Sequence, residues 1–134
     1  MKKARKDYTK QSNHSCKKNQ ALHKRIYFSL LGLKWAWLSE VSFRSQVVMT
    51  FLAFIIIAYL GADPLWWGLF ISIIGVTLAA ELFNTALEAL ADLLHPDFHP
   101  QIGRVKDTAA AAVLLLSVAS VLIFIAFLFS KWKF

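Results

Sequence analysis

Three long apolar stretches, separated by short polar segments, dominate the chain of 134 residues. The first has the core VVMTFLAFIIIAYL within residues 42–62, and the second begins at Pro64 and has no charged residue before Glu81. The third, from Thr108 to about Ser130, is uncharged throughout. Each is long enough to cross a hydrocarbon layer about 30 Å thick. The pattern predicts an all-α membrane protein with transmembrane helices at about 42–62, 64–94 and 108–130.

A shorter segment of mixed character, residues 22–38, precedes the first span. Its charged flanks make it unsuitable for crossing the membrane, so we expect an amphipathic helix on the membrane surface, with Trp35 and Trp37 at headgroup depth. The apolar side chains that recur at helical spacing on one face are Ile26, Leu30, Leu33 and Trp37. Residues 1–20 are polar and basic and are predicted to form a disordered cytoplasmic tail, while 21–134 form a single domain.

Two aspartates stand where helices are expected to begin. Asp63 followed by Pro64 is typical of a helix start, because the carboxylate caps free N–H groups and proline fits the first helical position. A very short turn is therefore predicted between the first two spans, which then run antiparallel. Asp107 is expected to cap the third span in the same way, which makes residues 95–106 a loop.

The distribution of charge sets the expected orientation. Eleven of the fifteen Lys and Arg residues lie in the first 44 positions, and the net charge is +7. Beside three apolar spans, such a block favours anionic lipid over nucleic acid, and no nucleic-acid partner is expected. Arg104 and Lys106 place the loop between the second and third spans in the cytoplasm together with the N-terminus. Lys131 and Lys133 then face outward, against the rule, but the larger N-terminal block outweighs them.

Four polar residues at the end of the second span share one helical face. Glu81, Asn84, Glu88 and Asp92 have the spacing i, i+3, i+7 and i+11, which keeps them within an arc of about 80°. A carboxylate at membrane depth costs several kcal/mol unless it is compensated. Magnesium would supply that compensation, since hard cations bind carboxylate oxygen. The alternatives are a proton or ion pathway, or a polar stripe that holds neighbouring helices together or leads into water.

Other polar residues are expected to lie at the same membrane face. Lys106 and Asp107 should approach the acidic stripe, and a lysine beside a helix start attracts phosphate. Glu40, at the start of the first span, either joins the acidic cluster or forms an ion pair with Arg44 at i+4. The loop sequence HPDFHP has two histidines that could bind a metal, but its two prolines favour a plain turn.

These motifs resemble those of the prokaryotic diacylglycerol kinase family. The resemblance rests on ELFNTALEALAD at 81–92, GRVKD at 103–107, EVSFR at 40–44, and GLK with Trp37 in the surface helix. It implies a homotrimeric membrane enzyme, with active sites shared between subunits, that transfers the γ-phosphoryl of ATP, with Mg²⁺, onto a lipid hydroxyl. It further implies a multi-pass protein of the bacterial cytoplasmic (inner) membrane.

The resemblance also implies a role for each matching residue. Glu81 corresponds to the general base and Asn84 to a partner that positions the reacting groups, while Glu40 and Glu88 correspond to metal-binding carboxylates. The implied ATP contacts are Glu40, Glu88, Asp92, Asp97, Phe98, His99, Lys106 and Asp107. The implied lipid contacts are Ser29, Trp37 and Glu81.

The sequence departs from the family pattern in places, and it leaves the substrate open. Gln46 stands where many proteobacterial members have glutamate, and Phe98 replaces a frequent tyrosine. The expected substrate is diacylglycerol, with undecaprenol, which Gram-positive relatives phosphorylate, as the alternative. Two non-enzymatic alternatives are a proton or ion pathway subunit, which leaves Lys106 and Asp107 unexplained, and an inactive regulatory partner, against which the full set of carboxylates argues.

Overall fold

A computed structural model describes residues 21–97 and 99–132 of the chain. They form four α-helices, α1 (Leu22–Ser39), α2 (Val41–Tyr59), α3 (Pro64–Leu94) and α4 (Pro100–Trp132), and this part of the chain contains no β-strand. Helices α2, α3 and α4 are long and apolar enough to cross a membrane. The expected all-α membrane fold with one helix before three spans is therefore confirmed. The predicted tail, residues 1–20, lies outside the described residues.

The chain divides into two units, with the boundary between Trp35 and Ala36, inside α1. In the N-terminal unit, Ile26, Leu30 and Leu33 are exposed, as an apolar face made for a membrane surface would be. The second unit contains the last turn of α1 and the three long helices. There α3 packs along α4 far more extensively than along α2.

The turn between α2 and α3 is stabilised by hydrogen bonds at both of the helix ends that it joins. Asp63 Oδ1 accepts hydrogen bonds from the backbone N–H groups of Leu65 (3.1 Å) and Trp66 (3.3 Å), so the expected cap at Asp63 is confirmed. Helix α2 ends at Tyr59, three residues earlier than expected. It does so because Gly61 adopts a left-handed φ of 64°, which reverses the chain and satisfies the last carbonyls of the helix.

The start of α4 differs from the expectation. The helix begins at Pro100, so Asp107 lies in its second turn and does not cap it. Pro100 suits the first helical position, and His99 Nδ1 accepts the backbone N–H of Gln101 at 3.2 Å. The segment 101–106, predicted as loop, is therefore helical and packs near the end of α3, where its Lys106 side chain reaches Asp92.

The hydrophobic core lies near the turn between α2 and α3. Ile57, Phe70 and Phe127 are almost completely buried, and the rings of Phe70 and Phe127 meet edge to face with centroids 5.7 Å apart. Lys131 closes this end, because its Nζ donates a hydrogen bond to the carbonyl oxygen of Gly61 at 2.6 Å and lies 5.9 Å from the Phe127 ring centroid. One of the two basic residues that opposed the expected orientation thus has a structural role at this end.

Candidate functional site

The acidic stripe of α3 passes from the protein interior to the surface. Glu81 is only 2% exposed, Asn84 and Glu88 are half-buried, and Asp92 is exposed. Thr77 and Thr85, one turn on either side of Glu81, are also buried, so this face of α3 packs against protein. At a rise of about 1.5 Å per residue, Glu81 lies about 25 Å along the helix from Pro64, close to the length needed to cross a hydrocarbon layer about 30 Å thick.

The buried carboxylate of Glu81 has a partner on α2. Gln46 Nε2 donates a hydrogen bond to Glu81 Oε2 at 3.3 Å, linking residues 35 positions apart. The other polar atom of this side chain, Gln46 Oε1, is buried and has no hydrogen-bond partner among the described residues. The hydrogen bond compensates part of the cost of burying Glu81. In the sequence Gln46 is only a departure from the family pattern, and no local signal indicates that it contacts Glu81.

A second pair of side chains lies one and two turns further along α3. Asn84 Nδ2 donates a hydrogen bond to Glu88 Oε1 at 2.9 Å, which fixes the orientation of that carboxylate and leaves Oε2 available. Asn84 Oδ1 is buried and has no partner within the described part of the chain. A carboxylate oxygen and an amide oxygen without other partners are the kind of hard ligands that Mg²⁺ prefers. The donor set therefore fits a magnesium ion bound partly by protein and partly by phosphate.

The exposed end of the stripe meets α4. Lys106 Nζ forms an ion pair and hydrogen bond with Asp92 Oδ1, and it is the one ion pair found in residues 21–97 and 99–132. Of the two side chains, Lys106 is 32% and Asp92 65% exposed, so both are open to solvent and to a ligand. This arrangement places a cation at the exposed end of the row that begins at Glu81.

Glu40 lies at the junction of α1 and α2, where it is the N-cap residue of α2 without a capping side-chain hydrogen bond. The alternative ion pair with Arg44 does not form. Instead, Arg44 Nη1 donates to the carbonyl oxygens of Trp37 (2.9 Å) and Leu38 (3.5 Å) at the end of α1. No group of three His, Cys, Asp or Glu side chains within the described ranges could hold a metal ion by itself.

The remaining expected site residues are spread over three regions. Ser29 lies in the N-terminal unit, where its hydroxyl donates to the carbonyl oxygen of Arg25 at 3.0 Å. Trp37 is exposed on the last turns of α1, and Asp107 is exposed on α4. Asp97 and His99 lie in the exposed loop between α3 and α4, and Phe98 lies outside the described residues. No hydrogen bond joins Asp97, His99 or Asp107 to Glu81, whose partner is Gln46. The roles of all these residues stay predictions.

A cavity of about 420 Å³ lies between α2, α3 and α4, and Gln46 forms part of its wall. Its lining is mostly apolar and reaches Ile56, Phe70 and Phe124 at the far end. Hydroxyl groups interrupt the lining, among them Thr77 and Ser120, whose oxygens lie 3.2 Å apart across α3 and α4. An extended apolar group in this cavity would therefore end beside the Gln46–Glu81 pair.

The fold and the site define a class of protein, an integral membrane protein whose buried carboxylate lies close to the membrane boundary and whose ionic groups continue from it towards water. Comparison with known proteins identifies the family. The family model for prokaryotic diacylglycerol kinase matches residues 27–128, and the chain belongs to this family. It is a lipid kinase, with ATP and a lipid as its substrates.

Individual relatives agree with this assignment. The chain is 36% identical to a diacylglycerol kinase of Helicobacter pylori over 94 residues, which cover 70% of this chain and 73% of the relative. It is 34% identical to the Escherichia coli diacylglycerol kinase over 105 residues, 78% of this chain and 86% of the relative. The undecaprenol kinase of Bacillus subtilis is 39% identical over a shorter region of 57 residues, 42% of this chain and 46% of the relative.

Proposed function

We propose that the protein transfers the γ-phosphoryl of ATP to the hydroxyl of diacylglycerol, forming phosphatidic acid at the cytoplasmic face of the bacterial inner membrane. The observation that supports this most strongly is the almost complete burial of Glu81 near the membrane boundary, in a row that ends at the Asp92–Lys106 pair. A lipid alcohol approaches from the bilayer and a nucleotide from water. The row provides a buried carboxylate, Glu81, for the lipid hydroxyl and an exposed cation, Lys106, for the phosphates of the nucleotide.

Glu81 acts as the general base. The lipid hydroxyl oxygen attacks the γ-phosphorus while its proton passes to the Glu81 carboxylate. The bond between the γ-phosphorus and the bridging oxygen breaks, and ADP leaves with the electron pair. Positioning and charge stabilisation supply most of the catalysis in phosphoryl transfer. Burial excludes water from Glu81, which favours transfer to the lipid over hydrolysis of ATP.

Glu88 and Glu40 would hold Mg²⁺, with Asn84 fixing the orientation of Glu88. When bound, the ion neutralises negative charge on the phosphate oxygens. When ATP binds, Lys106 leaves Asp92 and pairs with a phosphate group instead. The nucleotide site is proposed to be completed by Asp107, Asp97, Phe98 and His99. The Lys106 exchange costs little, because an ion pair between exposed side chains contributes only about 0–1 kcal/mol.

A hydrocarbon chain of the lipid substrate lies along α2, α3 and α4, and the lipid hydroxyl lies at Glu81. The cavity beside Gln46 supports this, because its apolar lining suits a hydrocarbon chain. Ser29 and Trp37, on the surface helix, are proposed to contact the lipid near its headgroup. Diacylglycerol is favoured over undecaprenol because the relatives named for it match a larger share of the chain.

We propose a homotrimer with active sites shared between neighbouring subunits and with the N-terminus in the cytoplasm. Support comes from the family resemblance and from the absence of a complete acidic cluster in the described part of one chain. Mixing subunits of Glu81→Gln with subunits of Glu40→Gln tests the shared site, because Glu40 is the proposed metal ligand that lies outside the row on α3 and α4. Activity in the mixture well above that of either variant alone is expected, and no recovery would assign all groups of a site to one subunit.

The central experiment offers radiolabelled ATP with diacylglycerol or undecaprenol to the purified protein in mixed micelles. Labelled phosphatidic acid is expected, and Glu81→Gln should abolish it while the oligomer and its thermal stability are retained. Asp63→Asn is the matched control, since it makes the same acid-to-amide change at a cap that asparagine also provides. Labelling of undecaprenol alone would correct the substrate, and normal turnover by Glu81→Gln would refute its role as base.

A further inference from the structure

We propose that Gln46 is the positioning residue of the catalytic base: its side-chain amide holds one oxygen of Glu81 and serves that carboxyl group both before and after it accepts the lipid proton. The inference rests on the proposed role of Glu81. It adds to the site a residue of α2 that affects the reaction only by positioning Glu81.

The hydrogen bond selects which oxygen of Glu81 reacts. Gln46 Nε2 lies 3.3 Å from Oε2, so that oxygen is already engaged, and Oε1 is available to the lipid hydroxyl. Glu81 is 2% exposed, and solvent can therefore contribute little to holding the carboxylate in one orientation. A donor on α2 therefore fixes the rotation of a side chain on α3. The packing of these two helices thus determines the direction in which the carboxylate of Glu81 faces the substrate.

The orientation of the amide follows from the charge of its partner. Beside an ionised carboxylate, the amide must present Nε2, because Oε1 and a carboxylate oxygen are both acceptors. After proton transfer the new O–H group is at Oε1 of Glu81, and Oε2 becomes the carbonyl oxygen of the carboxylic acid. That oxygen still accepts the hydrogen bond from Gln46 Nε2. Gln46 can thus form a hydrogen bond with either protonation state of Glu81.

Neither methionine nor glutamate reproduces all the properties of the Gln46 amide at this position. Methionine has nearly the shape of glutamine but offers no N–H donor. Glutamate would place two carboxyl groups within hydrogen-bond distance, which tolerates one shared proton but resists two charges. An amide does not take up a proton itself, so in this chain the lipid proton goes to Glu81 alone.

The test compares Gln46→Met and Gln46→Glu in steady-state lipid phosphorylation. Gln46→Met should lower kcat by about 10- to 100-fold, the effect of losing a hydrogen bond to a charged group, with the KM for MgATP within about twofold. Gln46→Glu should recover most of the lost kcat, because a shared proton restores the hydrogen bond. Gln101→Met is the control, since it makes the same change at an exposed side chain of α4 and should leave kcat unaltered.

A double-mutant comparison separates positioning from a general effect on folding. Glu81→Asp withdraws the carboxylate from Gln46, so adding Gln46→Met to Glu81→Asp should lower kcat by less than about threefold. A full additional 10-fold loss, or a kcat of Gln46→Met close to that of the unmodified protein, would overturn the inference. Normal turnover by Glu81→Gln would instead overturn the base assignment, so the two failures are distinguishable.

Discussion

Replacing Lys106 by methionine separates its structural contact from its proposed contact with ATP. In the structure the ammonium group pairs with Asp92 across α3 and α4. Because the two side chains are 32% and 65% exposed, water screens the pair, and its loss should lower the free energy of unfolding by no more than about 1 kcal/mol. Methionine keeps the apolar part of the side chain and removes only the charge.

The same substitution should affect nucleotide binding much more strongly. A charge-assisted hydrogen bond to phosphate is worth about 1.5–3 kcal/mol, which corresponds to a loss of about 10- to 150-fold in kcat/KM for MgATP. The KM for the lipid should change little, because Lys106 lies at the opposite end of the acidic row from Glu81. The contrast between a small stability change and a large kinetic change is the expected result.

The assay measures lipid phosphorylation over a range of MgATP concentrations, and thermal unfolding in detergent reports stability. Asp92→Asn breaks the same ion pair but keeps the lysine, so it should match Lys106→Met in stability. A Lys106→Met enzyme with unaltered MgATP dependence would refute the phosphate contact. If Lys106→Met lost several kcal/mol of stability instead, the solvent-screened description of the pair would be wrong.

Three further substitutions test other parts of the structure. Glu88→Gln keeps the acceptor for Asn84 but removes the charge, so activity should need a higher Mg²⁺ concentration or be lost; an unchanged magnesium titration would remove Glu88 from the proposed metal ligands. Lys131→Met should destabilise the protein by about 1–2 kcal/mol in thermal unfolding with both KM values unaltered, because it removes a hydrogen bond and a cation–π contact. Asp63→Ala should cost about 1 kcal/mol by the same measurement, whereas Asp63→Asn should cost little, and equal losses for both would contradict the capping role.

Several features of the fold were predictable because they depend on neighbours in sequence. The start of α3 could be inferred from Asp63 and Pro64, since capping is decided within one turn. The shared face of Glu81, Asn84, Glu88 and Asp92 follows from helical periodicity alone. The length of each apolar stretch sufficed to predict a membrane protein, because the thickness of the bilayer sets the length of a spanning helix.

Local sequence signals gave wrong boundaries at the end of α2 and at the start of α4, the two helix ends that differ most from the expectation. Gly61 ends α2 through a backbone reversal, although the apolar pattern continues past it to Ala62. At α4, the polar residues 101–106 suggested a loop, and Asp107 suggested a cap. The helix instead begins at Pro100, where it packs near the end of α3 and brings Lys106 to Asp92. Packing between helices outweighed local composition there.

The contacts between distant parts of the chain required the tertiary structure. Composition and periodicity alone predicted three spans, a polar face on the second span and a basic N-terminal end. They did not establish that Gln46 meets Glu81 across 35 residues, or that Lys131 meets Gly61 across 70. A side chain's position along its own helix depends on local geometry, but its partner on another helix depends on how the two helices rotate and slide against each other. That arrangement is decided only when all the helices pack together.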